Sequence, residues 1–267
     1  MVGSSLELED SPHDGSLGSS ASKVLVVLDA VAHAKGKAIG VSELATDLAM
    51  PKSTTHRLLK ALEEHGFVGR TGHKYCIGTH YAEFSECARD RTATYREDLR
   101  EAALKPIEWL FERAGATVHL AVLDGTDVYY VEKVSGASGL RIPSRVGGRM
   151  PATCTALGKA MLAFSTPTTV GRTLQMPLPR ATPRSIRSPR LLLQQLADIR
   201  DSGVAEEHEE SRLGVSCIAA PILQNGHAVA SISLSHVNKF PEHTQRFAEM
   251  LTTAAGSIAQ RMPESSD

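Results

Sequence analysis

Aromatic residues are scarce in this chain, 4% of 267 with a single Trp, and cysteine is limited to Cys76, Cys87, Cys154 and Cys217. The four thiols lie far apart with no CxxC pair, which excludes a zinc ribbon and a dense disulfide framework. Reduced thiols in a cytoplasmic protein fit that spacing. No run approaches the roughly 18 consecutive apolar residues of a membrane-spanning helix. Charge of one sign is also missing, since the formal net charge is −1. Any claim about a nucleic-acid partner therefore rests on local patterning and not on bulk charge. What is present is 42% hydrophobic residues on a length that suits a small module plus a larger domain. Residues 1–19 are acidic and rich in Ser and Gly, with no basic start and no apolar core, so they lack the features of a secretory signal and read as a disordered tail.

After the tail, the stretch from Lys23 to Ala32 carries apolar residues on one helical face, with Ser20 or Ser22 as its expected cap. A second helix is expected from Val41, capped by Ser42, with Leu44, Ala45 and Leu48 as its inward stripe. Pro51 then suits the first turn of a third helix that runs to His65, with Gly66 as its stop. In that helix Leu58, Leu59 and Leu62 point inward. Ser53, Thr54, Thr55, His56, Arg57 and Lys60 crowd its first half with short hydrogen-bonding groups and cations, the residue types that contact base edges and phosphates from a recognition helix. A solvated amphipathic helix has the same pattern, so the neighbouring segments decide between the two.

From Phe67 to Ile77 two strand-like pieces flank a tip of Arg70, Gly72, His73 and Lys74, a β-hairpin with a basic tip. Such a wing lies along the DNA backbone or reaches into the minor groove. Between Ser20 and His80 there are eight Lys/Arg against five Asp/Glu, a local surplus of +3. The asymmetry falls where DNA would lie.

From Thr79 to about Ala114 the composition favours helix, with a kink or restart expected near Pro106. Thr117–Leu123 and Val128–Val134 are two strand-like runs joined by a hairpin turn, and Cys217–Leu223 and Ala228–Ser235 form a second pair. Helices are expected near Ala156–Phe164, Leu191–Ser202 and Pro241–Met262. The stretch Thr166–Pro189, dense in Pro, Thr and Arg, reads as a loop. Together these predict an α+β domain on an antiparallel sheet.

Three separated segments, in order, resemble the IclR family of bacterial transcriptional regulators. They are Pro51-Lys-Ser-Thr-Thr-His-Arg-Leu-Leu59, Met150-Pro-Ala-Thr-Cys-Thr-Ala-Leu-Gly-Lys-Ala160, and Glu210 followed by Gly214-Val-Ser-Cys-Ile-Ala-Ala-Pro221. The resemblance implies a winged helix-turn-helix over 20–78, a linker helix over 79–98, and a GAF-like effector-binding domain with a mainly antiparallel sheet over 99–263. It also implies dimers that commonly pair into tetramers, binding to double-stranded operator DNA, and a role as a repressor. A small carboxylic or aromatic acid is the implied effector, and no cofactor is expected.

Carried over position by position, the resemblance nominates Thr155, Ala156, Glu207, Val215, Cys217, Ser233 and Ser235 around that effector. The start of a helix offers free N–H groups to a carboxylate, and serine hydroxyls can donate to it. Ser233 and Ser235 are two apart, so a strand puts both on one face. Glu207 sits uneasily there, because a carboxylate facing a carboxylate needs a proton or intervening donors. Cys217 and the serines would also serve as ordinary small interior residues.

Enzyme readings find little support. Gly158-Lys159 is no phosphate-binding loop, because Thr153 stands where its first glycine belongs and Ala160 follows the lysine. His208-Glu209-Glu210 has no second histidine at helical spacing for a metal, and no Gly-x-Ser-x-Gly elbow occurs. The other class left open is a ligand sensor whose helix-turn-helix holds protein partners instead of DNA.

Overall fold

The computed structural model describes residues 19–34, 38–136, 142, 144–175, 177–237 and 244–263. Apart from Ser19, the expected tail lies outside the described residues. The chain divides into two compact units, Met1–Thr92 and Ala93–Asp267.

In the first unit α1 (Ser20–Ala32) starts ahead of both expected caps, Ser20 and Ser22, because the Ser19 hydroxyl accepts from the Ser22 N–H and caps it. The strand β1 (Ile39–Gly40) leads directly into α2 (Val41–Asp47), so Gly40 and not Ser42 is the cap. The reason is tertiary: Gly40 is still paired with Lys74 when the chain turns into helix. α3 (Lys52–Glu64) begins behind Pro51 and ends before Gly66, whose φ of 74° suits glycine. The hairpin β2 (Val68–Thr71) and β3 (Lys74–Ile77) completes a three-stranded antiparallel sheet in the order β1-β3-β2. Its two-residue loop has positive φ at Gly72 and not at His73, the pattern of a type II′ turn. Val27, Val31, Leu44, Leu58, Leu59, Leu62, Val68 and Tyr75 close one core under these elements. Each large aliphatic buried there stabilises by about 1.5–3 kcal/mol.

α4 (Thr79–Ala114) is a single helix. It does not restart at Pro106. Ala103, Ile107 and Leu110 flank that position and are buried in the core of the second unit, which offsets the ~3 kcal/mol that an interior proline costs.

The second unit is built on a six-stranded, wholly antiparallel sheet in the order β6-β5-β4-β9-β8-β7. Its strands are β4 (Thr117–Asp124), β5 (Asp127–Val134), β6 (Arg149–Pro151), β7 (Ala205–His208), β8 (Val215–Gln224) and β9 (His227–Val237). Alternation along the strands assigns the two faces. Val118, Leu120, Ile218, Ile222, Ile232 and Leu234 join Leu99 and Leu110 of α4 and Leu251 and Ile258 of α8 (Thr244–Arg261) in one core. On the other face Ala121 and Ala219 meet α5 (Ala156–Ala163) and α7 (Pro189–Ser202). The stretch expected as loop contains a helix, α6 (Pro167–Leu174), started by the Thr166 hydroxyl accepting from the Thr169 N–H with Pro167 in the first turn. The expected start of the last helix near Pro241 lies outside the described residues. Among the described residues no helix is long and apolar enough to cross a membrane.

Candidate functional site

The first half of α3 presents Ser53, His56, Arg57 and Lys60 to solvent. Their spacing of three and four residues puts them on one face. Among the described residues Lys60 makes only an exposed pair with Glu64 at 3.8 Å, which holds it weakly. Thr54 is half-buried. Thr55 departs from the expectation: it is fully buried beside Leu58 and Leu59, and its hydroxyl donates to the Pro51 carbonyl at 3.2 Å. That side chain seats the helix and is not offered to a groove.

On the wing His73 and Lys74 are exposed at the hairpin tip. Arg70 is fixed more firmly. It donates to the Tyr75 hydroxyl at 2.6 Å, lies 4.9 Å from the centre of that ring, and reaches Glu63 of α3 at 3.6 Å. Arg70 thus ties the wing to α3, and it borders one shallow cleft with His56 and Lys60.

The second unit holds a cavity of about 300 Å³ between the sheet and the start of α5. Six of the seven nominated residues line it: Thr155, Ala156, Val215, Cys217, Ser233 and Ser235. The helix start is fixed by sequence. The Thr155 hydroxyl accepts from the Gly158 N–H at 3.0 Å. Gly158 itself lies so close to Ala152 that a Cβ would overlap the Ala152 backbone. The N–H groups of Ala156 and Leu157, in the first turn, have no intrahelical acceptor. Ser233 is 1% exposed and has no hydrogen-bond partner for its hydroxyl among the described residues. No Asp or Glu is found among the described residues that line the cavity, whereas Arg145, Arg149 and Arg212 are; of these, Arg149 turns its guanidinium to Asp124 at 2.6 Å, which leaves Arg145 and Arg212 for an anion.

Glu207 does not line the cavity. It is fully buried, and one carboxylate oxygen accepts from the backbone N–H groups of Glu210 and Ser211, the latter at 2.9 Å. Burial is the main cause holding its carboxyl above the usual range, and Glu207 also interacts with Cys217, its register partner on β8. Its place is beneath the 210–212 rim, which resolves the conflict of two facing carboxylates. The same rim is held by Lys159, fully buried, whose ammonium donates to Glu210 at 2.7 Å and to Gln195 at 3.1 Å. Thr182 and Ser185 donate to the Glu210 carbonyl at 3.2 and 2.7 Å. Lys159 is therefore structural and unavailable to a phosphate. The His208-Glu209-Glu210 run is split three ways: His208 pairs with Glu206, Glu209 with Arg184, and Glu210 with Lys159.

The sequence reading missed His119, Tyr130, Ser144 and the arginines of the rim. His119 is 3% exposed, and its Nδ1 lies 3.2 Å from the Ser235 hydroxyl while its Nε2 lies 2.6 Å from that of Ser144. Burial, with a smaller contribution from the nearby charge of Lys133, pushes its pKa down to about 3, so the imidazole is neutral. Lys133 also donates to the carbonyls of Ile142 and Ser144, at 2.6 and 2.8 Å. The signal for His119 was available, since it is a lone polar residue inside the apolar run Val118–Leu123. Arg145 and Arg212 lie in loops without any pattern to mark them.

Two family models match the chain. Bacterial transcriptional regulator IclR C-terminal covers residues 91–260, and the IclR helix-turn-helix domain covers residues 20–72. The HTH-type transcriptional regulator KdgR of Escherichia coli (strain K12) is 32% identical over 252 residues, 91% of this chain and 92% of its own. Among solved structures, the crystal structure of the Thermotoga maritima IclR is 31% identical with a TM-score of 0.60, over 91% of this chain and 98% of that one. An IclR homologue from Microbacterium hydrocarbonoxydans, crystallised with 4-hydroxybenzoate, is 25% identical with a TM-score of 0.60, over 91% of this chain and 99% of that one.

Proposed function

The chain belongs to the IclR family of bacterial transcriptional regulators, DNA-binding proteins rather than enzymes, and from that premise we propose that it is a cytoplasmic repressor whose hold on operator DNA is set by a small organic acid. One observation carries the effector half of the reading: a cavity with Arg145 and Arg212 at its rim and no carboxylate among its described lining residues, opening on backbone N–H groups at the start of α5 and on the Ser233 hydroxyl, which has no partner among the described residues. A helix start of this kind favours an anion by its dipole and its donors together. The 4-hydroxybenzoate held by the Microbacterium homologue is an acid of a size such a cavity admits. The working unit is a homodimer or a pair of dimers, which doubles the reading head over a symmetric operator.

On the DNA side, Ser53, Thr54, His56, Arg57 and Lys60 enter the major groove, and His73 and Lys74 reach the backbone from the wing. Fluorescence anisotropy with DNA from upstream of the protein's own gene tests this. Arg57→Ala should weaken specific binding more than non-specific binding. Lys74→Ala should weaken both and lower the salt slope by about 1. Thr55→Val should leave the affinity within about twofold, because the hydroxyl it removes faces the Pro51 carbonyl. Equal losses for Arg57→Ala and Lys74→Ala would undo the assignment of Arg57 as a base reader, and no sequence preference at moderate salt would favour protein partners over DNA.

A further inference from the structure

The hydrogen bonds of the cavity wall sort its hydroxyls into donors and acceptors. Ser235 lies between two wall atoms, Cys217 Sγ at 3.1 Å and His119 Nδ1 at 3.2 Å. His119 in turn lies between Ser235 and Ser144, and its neutral ring has one N–H to give. Two arrangements satisfy all three links. Protons run either from Ser144 through His119 and Ser235 to Cys217, or in the opposite direction. In both, the single Ser235 proton is committed to a wall atom, and what Ser235 has left for a ligand is a lone pair. In the first direction Ser144 is also a spent donor, and in the second its own proton is left over. Tyr130 is spent as well: its hydroxyl donates to Met150 Sδ at 3.4 Å.

The free donors are elsewhere. They are the Ser233 hydroxyl and the first N–H groups of α5, with Arg145 and Arg212 at the rim. The cavity is therefore polarised, with donors around Ser233 and α5 and acceptors along Ser235 and Tyr130. A carboxylate has lone pairs only, so it suits the donor end and is repelled by the acceptor wall. An acceptor buried against a ligand atom that cannot donate loses its hydrogen bond with water and gains nothing, the condition under which a site rejects an analogue most strongly.

Resting on the acid-binding reading above, we propose that the effector is an acid bearing a hydroxyl or amine N–H on the order of 6 Å from its carboxylate, the spacing of two residues along a strand, and that Ser235 is the acceptor that selects it. Its carboxylate sits on Ser233 and the α5 N–H groups, and its donor meets Ser235.

Isothermal titration of the full chain with four acids of nearly equal size tests this: benzoate, 4-fluorobenzoate, 4-hydroxybenzoate and 4-aminobenzoate. The hydroxy and amino acids should bind at least about tenfold more tightly than the other two. In Ser235→Ala the ratio between 4-hydroxybenzoate and 4-fluorobenzoate should fall below about threefold. Ser235→Cys, which keeps the size and offers sulfur as a weak acceptor, should lower the same ratio. Binding of all four acids with equal affinity to the wild type, or a ratio that survives in both variants, overturns the selection by Ser235 and leaves the acid site standing. Failure of all four to bind overturns the acid site itself, and this inference with it.

Discussion

His119 shows how a single buried side chain couples the site to pH. Folding carries its imidazole from an ordinary pKa of 6.5 to about 3, chiefly because burial penalises the charged ring. Between those values the unfolded chain takes up a proton that the folded chain refuses. The contribution to stability is complete above about 6.5 and is lost as pH falls towards 3, by up to ~1.4 kcal/mol per pH unit for one proton. The Glu207 carboxyl, raised chiefly by its own burial, acts with the opposite sign, since the folded state keeps a proton that the unfolded chain releases above about 4.5. That slope is common to the wild type and to a His119 variant. Urea midpoints measured from pH 7 to pH 4 should accordingly fall less steeply for His119→Asn than for the wild type. Parallel curves would show that the ring is not held neutral.

At the scale of elements, α5 is a wholly buried helix with an ammonium inside it. Lys159 is fully buried, and its partner Glu210 anchors the rim of the cavity. Removing one member of such a pair leaves an uncompensated charge and costs about 3–5 kcal/mol, whereas replacing both by apolar residues is often near neutral. Lys159→Met should therefore be severely destabilised, and Lys159→Met with Glu210→Leu should recover most of the loss in chemical denaturation. Additive losses in the double variant would mean that the two side chains act independently. None of this was legible from Gly158-Lys159 as a string, which only excluded a phosphate loop. The sequence did disclose α3, the wing and the paired strands, because their apolar spacing of three to four or of two survives in any context. It missed α6, whose cap Thr166 and first-turn Pro167 are good signals, because the segment is short and only Thr173 is buried. It misassigned the cap of α2, whose start at Val41 it had right, because pairing of Gly40 with Lys74 overrides the local preference of Ser42. It placed Glu207 in the cavity because the family resemblance carries over a position and not its surroundings. A position does not say whether the side chain reaches the ligand or, as the hydrogen bonds from the Glu210 and Ser211 N–H groups show, turns under the rim.

For the molecule as a whole, α4 is the covalent path that crosses from the first unit to the second, continuous from Thr79 to Ala114. An effector controls DNA binding only if it prefers one of two states, and the resulting coupling is reciprocal. If saturating 4-hydroxybenzoate weakens operator binding by some factor, saturating operator must weaken 4-hydroxybenzoate binding by the same factor, on the order of 5–150-fold for ordinary allosteric proteins. Anisotropy with operator and calorimetry with the acid measure the two sides independently, and unequal factors would reveal a further linked equilibrium such as assembly. The helix itself can be probed at Thr92 and Ala93, where the two units meet along the chain and both side chains are exposed. Thr92→Gly with Ala93→Gly weakens helix there by about 1 kcal/mol per glycine without touching either surface that holds a ligand. The coupling factor should fall towards 1 while each ligand binds alone within about threefold of the wild type. Coupling that persists at full strength would exclude a stiff α4 as the element through which the acid and the operator sense each other.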